Sequence, residues 1–93
     1  MAVTIEVRKF DASRFRVRVI EGGSESSHQV TLSAQDCARL TGGISDAEQL
    51  IRNSFQFLLD HEPKESILAR FDISSISRYF PDYEQEIKRS LGK

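Results

Sequence analysis

Residues 3–20 read VTIEVRKFDASRFRVRVI, and this stretch decides the fold. In its first half apolar residues occupy positions 3, 5 and 7, and in its second half Phe15, Val17 and Val19 alternate with arginines. A period of two residues is typical of a strand that buries one face. Only the short segment Asp11 to Ser13 separates the two halves, so the stretch predicts an antiparallel hairpin.

A third strand is predicted to follow a flexible turn. Residues 21–27 are rich in glycine and serine, and the alternation then resumes at His28, Val30 and Leu32. Because short connections favour neighbours in space, the three strands should form an antiparallel meander. We expect the strands at about residues 3–9, 14–20 and 28–32.

After Leu32 the apolar spacing changes from two residues to three and four, which predicts helices. The first should begin at Ser33, whose hydroxyl can accept from a free backbone N–H while Asp36 complements the helix dipole. Gly42 and Gly43 should end it, because glycine enters the left-handed conformation without penalty.

The longest helix is predicted at about residues 46–60, where Ser45 and Glu48 have the spacing of a capping box. Its apolar face is broad and includes Phe55 and Leu58. So broad a face needs two neighbours, which we expect to be the sheet and the C-terminal third of the chain.

The C-terminal third predicts several short helices. Pro63 suits a first helical turn, and Ile67, Leu68 and Phe71 are expected to face inward. The helices are predicted at about residues 34–41, 46–60, 64–70, 73–79 and 82–91. Residues 1–93 should therefore form one α+β domain, a three-stranded antiparallel N-terminal meander with one face covered by several C-terminal helices.

Composition limits the class of protein. The 93 residues carry a net charge of -1, which argues against a polycation that coats nucleic acid or membrane. The single cysteine, Cys37, excludes an intrachain disulfide and suits a reducing cytosol. Neither a signal sequence nor an apolar run of about 20 residues is present, so we expect a cytoplasmic protein without a membrane partner.

The sequence offers no catalytic, cofactor-binding or metal-ligating motif, and we expect no enzyme, cofactor or identifiable small molecule. Cys37 could be a nucleophile beside His28 or His61, but its position favours a packed core residue. Two histidines and one cysteine cannot complete a closed zinc site without carboxylates. His61 lies in the polar segment 60–66 and could exchange protons near neutral pH, although a helix junction is favoured there.

The alternation also places four arginines on the side of the sheet opposite the apolar one. They are Arg8, Arg14, Arg16 and Arg18. The planar fork of a guanidinium group suits phosphate or carboxylate, so this face is a possible binding surface. The alternative is a solvated face with Glu6 and Thr31 among the arginines. We expect no exposed aromatic side chain there, which weakens the case for single-stranded nucleic acid.

Residues 67–84 could alternatively form a helix-turn-helix whose serines and Arg78 meet phosphates. No glycine marks its turn, and Asp72, Asp82 and Glu84 balance its basic residues. Nucleic-acid binding by this segment is therefore disfavoured.

The C-terminal half resembles a group of short bacterial proteins of about this length. The resemblance lies in FQFLLDHEPKESIL at residues 55–68, in Phe71, Asp72 and Ile76, and in YFPDYE at residues 79–84. It covers a third to a half of the chain and implies a bacterial, cytosolic protein, but it carries no activity onto these positions.

Two functions follow as expectations. The first is protein–protein interaction, including self-association, because a small sheet has edge strands available for pairing. The second is nucleic-acid binding through the arginine face.

Overall fold

The computed structural model describes residues 3–42 and 46–91 and contains a four-stranded sheet with the strands in chain order. The strands are β1 (Val3–Lys9), β2 (Arg14–Glu21), β3 (Ser24–Thr31) and β4 (Arg70–Asp72). The helices are α1 (Ala34–Thr41), α2 (Ala47–His61), α3 (Ile76–Tyr79) and α4 (Tyr83–Leu91). The first three strands form the predicted antiparallel meander, and β4 runs parallel to β3. The α+β class is confirmed, with a fourth strand that the sequence did not predict.

The two hairpins of the meander have different turns. In the first, the Asp11 carboxylate accepts from the backbone N–H groups of Ser13 and Arg14, each at 3.0 Å. In the second, Gly22 adopts a φ of 59° and Glu21 pairs directly with Ser24. The predicted turn over residues 21–27 is therefore wrong, and β3 begins four residues earlier than expected. Because glycine permits the tight turn, the polar residues after it are drawn into the ladder despite their lack of apolar alternation.

The helix starts follow the capping rules, with one difference. The Ser33 hydroxyl accepts from the backbone N–H of Asp36 at 3.0 Å, as predicted, and Gly42 ends α1 with a φ of 65°. At α2 the capping residue is Asp46, whose carboxylate accepts from the N–H of Gln49 at 2.8 Å. Ser45 and Gly43, to which the sequence assigned capping roles, lie outside the described residues.

The core lies between one face of the sheet and the helices. From the sheet come apolar residues of alternating positions, and the fully or nearly fully buried ones are Ile5, Phe15, Val17, Val19 and Val30. From α2 come Leu50, Ile51, Phe55, Phe57 and Leu58. Phe55 and Leu58 are thus core residues, as the period of α2 predicted. Tyr83 and Ile87 of α4 close the far side of α2.

The segment after Pro63 differs most from expectation. The predicted helix over residues 64–70 is wrong: a 3₁₀ turn spans only Lys64–Ser66, and the chain then extends into β4. The backbone N–H of Gln29 donates to Ala69 O at 2.7 Å, and Nδ1 of the buried His28 ring lies at hydrogen-bond distance, 2.8 Å, from Leu68 O. These contacts with β3 keep the segment extended. Leu68, expected to face inward, is 55% exposed.

Asp72 joins the end of β4 to the rest of the fold. Its carboxylate accepts from the Ser74 backbone and from the Thr31 hydroxyl, both at 2.8 Å. Burial alone would raise the pKa of Asp72, but these hydrogen bonds outweigh it and lower the pKa. Since residues 70–72 form a strand and α3 has only four residues, the alternative of a helix-turn-helix over residues 67–84 is wrong.

Candidate functional site

One face of the sheet is open to solvent. We call it the outer face; it consists of the even-numbered residues of β1 and β2 and the odd-numbered residues of β3, together with their neighbours on β4. None of these described residues is buried, whereas the opposite face packs against the helices. All four predicted arginines lie on the outer face, on adjacent strands of the sheet.

Strand register aligns three arginines across the width of the outer face. Arg8 lies opposite Arg16, Arg16 opposite Gln29, and Gln29 opposite Arg70. We call these four residues the arginine row. Neighbouring strands lie about 4.8 Å apart, so the row crosses the whole sheet over about 14 Å. Sequence reasoning missed Arg70, because it placed residues 64–70 in a helix.

Two of the four predicted arginines are neutralised by acids. The Arg18 guanidinium contacts Glu25 at 3.0 Å and Glu6 at 2.9 Å, and Arg14 contacts Asp11 at 2.7 Å. Hydrogen bonding to Glu25, assisted by Glu6, raises the pKa of Arg18. The contact with Arg14 lowers the pKa of the Asp11 carboxyl. These pairs leave little charge for an external ligand.

The arginines of the row differ from that pair. No carboxylate of residues 3–42 and 46–91 forms an ion pair with Arg8, Arg16 or Arg70. The Arg16 guanidinium instead lies 4.9 Å from the ring centroid of Phe10, which is 45% exposed. The expectation of no exposed aromatic side chain beside the arginines is therefore wrong. Phe10 directly follows β1. Because it is two residues after Arg8, alternation places both side chains on the same face, and this signal could have identified Phe10 from the sequence.

The outward edge of β1 is a second candidate surface. The N–H of Phe10 donates to Arg14 O at 2.8 Å, so the even-numbered backbone groups of β1 point to β2. The odd-numbered ones, at positions 3, 5, 7 and 9, consequently point away from the sheet. Among these, Ile5 O accepts a hydrogen bond from the Arg52 guanidinium of α2. Val7 and Lys9 have no such cover from the described residues.

An apolar groove lies beyond β4. It has a volume of about 270 Å³, and Leu58, Phe71 and Ile76 are among the residues that line it. Leu68 and Tyr79 also line it and are 55% and 69% exposed. Nothing among its described polar residues forms a catalytic arrangement.

The titratable residues considered in the sequence do not come together. Both ring nitrogens of His28 are engaged, one with Ser26 Oγ and one with Leu68 O, each at 2.8 Å. His61 Nδ1 lies 2.9 Å from Phe57 O, at the end of α2. Cys37 is half-buried and packs against the core. No group of three or more potential metal ligands occurs in the described parts of the chain.

In the polar junction between α2 and β4, the Lys64 side chain is buried. Its ammonium group contacts Glu65 and lies 3.7 Å from Glu21 of β2. Hydrogen bonding to Glu65 raises the pKa of Lys64. The junction thus joins the end of α2 to the second hairpin.

Within residues 3–42 and 46–91, no helix has both the length and the apolar character needed to cross a membrane. No family model, curated protein or solved structure matches the chain.

Proposed function

We propose that this protein is a small non-enzymatic interaction module that self-associates by pairing the outward edge of β1 with the same edge of a second copy. One observation carries the proposal: the backbone groups at positions 3, 5, 7 and 9 point away from the sheet. A row of such groups is a template for another strand. Two copies joined in this way form one continuous eight-stranded sheet around a two-fold axis, with the two β1 strands antiparallel to each other.

Side-chain charge selects the register of this pairing. If the two-fold axis passes through Val7, Glu6 of each copy lies opposite Arg8 of the other. An axis through residue 6 would oppose two glutamates, and an axis through residue 8 would oppose two arginines, both of which are unfavourable. The register centred on Val7 is the one that gives Arg8 an acidic partner.

The hydrogen bond from Arg52 is compatible with this pairing. In the register centred on Val7, Ile5 O receives the N–H of Lys9 from the second copy. A carbonyl oxygen has two lone pairs, so Ile5 O can accept this N–H while it remains bonded to Arg52. Two strands of seven residues form a small interface, below the roughly 1,200 Å² of stable complexes, so the association should be weak and reversible.

Exchanging the charges at positions 6 and 8 tests both the edge and the register. Glu6→Arg alone places Arg opposite Arg, and Arg8→Glu alone places Glu opposite Glu, so each variant should be monomeric. An equimolar mixture restores two opposite-charge pairs and should dimerise. Sedimentation velocity from about 10 μM to 1 mM covers weak complexes of this kind.

Glu86→Arg on α4 makes the same change of charge as Glu6→Arg, but on the helical side of the protein. This control variant should dimerise as the unmodified protein does. A monomer of the unmodified protein at about 1 mM would refute self-association. If the mixture of charge variants stayed monomeric while the unmodified protein dimerised, the register centred on Val7 would be wrong.

We further infer that the protein works in the cytoplasm of a bacterium. The resemblance of residues 55–84 to short bacterial proteins supports this inference. So does the lone Cys37, since a fold held by packing alone needs no oxidising compartment.

A further inference from the structure

The outer face of the sheet carries positive charge that the fold itself does not use. Arg16 and Arg70 of the arginine row have no acidic partner within the described residues, and Gln29 lies between them. Arg8, on β1, is at the end of the row, and the proposed dimer would pair it with Glu6 of the second copy. Arg16 and Arg70 are thus the charges that remain available in the monomer and in the dimer.

An exposed stacking surface adjoins this charge. The Arg16 guanidinium lies over the Phe10 ring, and both side chains are open to solvent. Nucleic-acid bases stack on aromatic rings and on guanidinium planes alike. The carboxylates of an acidic peptide could pair with the arginines but do not stack on a ring, whereas a nucleic acid supplies both phosphates and bases, so this combination favours a nucleic acid.

The shape of the surface favours a single strand over a duplex. Four strands at about 4.8 Å spacing make a platform about 14 Å wide, which exceeds the major groove of about 12 Å. The platform cannot enter a groove to reach paired bases. In a single strand the bases are unpaired, so they can turn out and lie flat on the surface while the phosphates contact the arginines.

We propose that the outer face binds single-stranded nucleic acid, with phosphates on Arg16 and Arg70 and a base stacked against the Phe10–Arg16 pair. Gln29, placed between the two arginines, can donate to and accept from a base edge. This proposal does not depend on the edge pairing of β1, since Phe10 and Arg70 lie outside that strand.

Fluorescence anisotropy with labelled ten-nucleotide oligouridine and oligothymidine tests the proposal. We expect a Kd tighter than about 100 μM at about 50 mM salt. Two phosphate contacts give a slope of log affinity against log salt of about -1.4, and Arg70→Gln should make that slope shallower by about 0.7.

Phe10→Ala should weaken binding about tenfold and leave the slope unchanged, because stacking releases no counterion. Phe10→Leu, which keeps apolar bulk without an aromatic ring, should behave as Phe10→Ala does.

Arg89→Gln is the matched control. Arg89 is exposed on α4, away from the sheet, and pairs with Glu86 at 3.1 Å, so its loss should change neither affinity nor slope. The proposal is overturned if no oligonucleotide binds more tightly than about 100 μM. Equal losses for Arg89→Gln and Arg70→Gln, or equally tight binding of a ten-base-pair duplex or of oligoglutamate, would also overturn it. Loss of oligonucleotide binding with dimerisation intact in the Phe10 variants would separate this site from the β1 edge.

Discussion

The hydroxyl groups of Ser54 and Tyr83 lie 2.6 Å apart in the interior, where both residues are fully buried. The Ser54 hydroxyl donates its only proton to Leu50 O at 2.7 Å, so the Tyr83 hydroxyl must be the donor in the bond between them. This bond joins α4 to α2, and through α2 to the sheet. Because Tyr83 is the donor and Ser54 the acceptor, loss of the two hydroxyl groups should have different effects on stability.

Removing either hydroxyl should destabilise the protein by different amounts. Tyr83→Phe deletes the donor and leaves Ser54 bonded to Leu50 O, at a cost of about 0.5–1.5 kcal/mol. Ser54→Ala leaves the Tyr83 hydroxyl buried without an acceptor, at a cost of about 1–3 kcal/mol. Urea unfolding followed by circular dichroism measures both. The opposite order would mean that the donor is assigned wrongly.

Stability should decline in alkali because of the same tyrosine. Burial raises the pKa of Tyr83 well above its ordinary value of 10.0. The unfolded chain therefore loses this proton at lower pH than the folded chain does. It follows that the free energy of unfolding falls as the pH rises above 10. Tyr83→Phe should reduce this alkaline loss, whereas Tyr79→Phe, at an exposed site, should retain it. Equal pH profiles for the unmodified protein and Tyr83→Phe would contradict the assignment.

Truncation of an apolar side chain should lower the free energy of unfolding much more at a buried position than at an exposed one. Phe55 has no exposed surface and contacts the rings of His28 and Phe71, so Phe55→Ala should cost about 3–5 kcal/mol. Leu68, which is 55% exposed, is an apolar control, and Leu68→Ala should cost less than about 0.5 kcal/mol. Thermal and chemical unfolding measure both changes. A cost below about 1 kcal/mol for Phe55→Ala would show that the buried face of α2 is assigned wrongly.

Proline at two adjacent positions of β1 should separate folding from association. The N–H of Val7 points away from the sheet, so Val7→Pro removes no bond of the β1–β2 ladder but blocks pairing with a second copy. We expect it to fold and to sediment as a monomer at about 1 mM. Arg8→Pro removes an N–H that points to β2 and should strongly lower the unfolding free energy. A dimeric Val7→Pro protein would exclude β1 as the contact.

The parts of the fold that the sequence predicted are those with a periodic or capping signal of their own. Alternation located β1 and β2, and the spacing of apolar residues located α2 with Phe55 on its inner side. β4 has three residues, too few for a period, and Pro63 with Glu65 resembles a helix start. Its extended form depends on contacts with β3, which lies about 40 positions earlier in the chain.

The same reasoning explains what was missed at the outer face. Alternation alone placed Arg8, Arg14, Arg16 and Arg18 together. The ion pairs of Arg18 depend on register, which sets Glu6 opposite it and which a pattern of alternation does not determine. Arg70 entered the surface only with β4. Alternation therefore predicts which residues lie on a sheet face, but it does not predict which of their charges remain unpaired.

The late arrival of β4 also affects how the chain comes to fold. Pairing of Gln29 with Arg70 closes a long loop that contains α1 and α2, and such a closure has an entropic cost that the local hairpins avoid. The meander can therefore form during synthesis well before β4 has emerged. In that interval the backbone of β3 is unpaired on one side, and a growing chain held there is exposed to strand exchange with its neighbours. Residues 29–31 of this edge are covered only after residues 70–72 have been made and have paired with them.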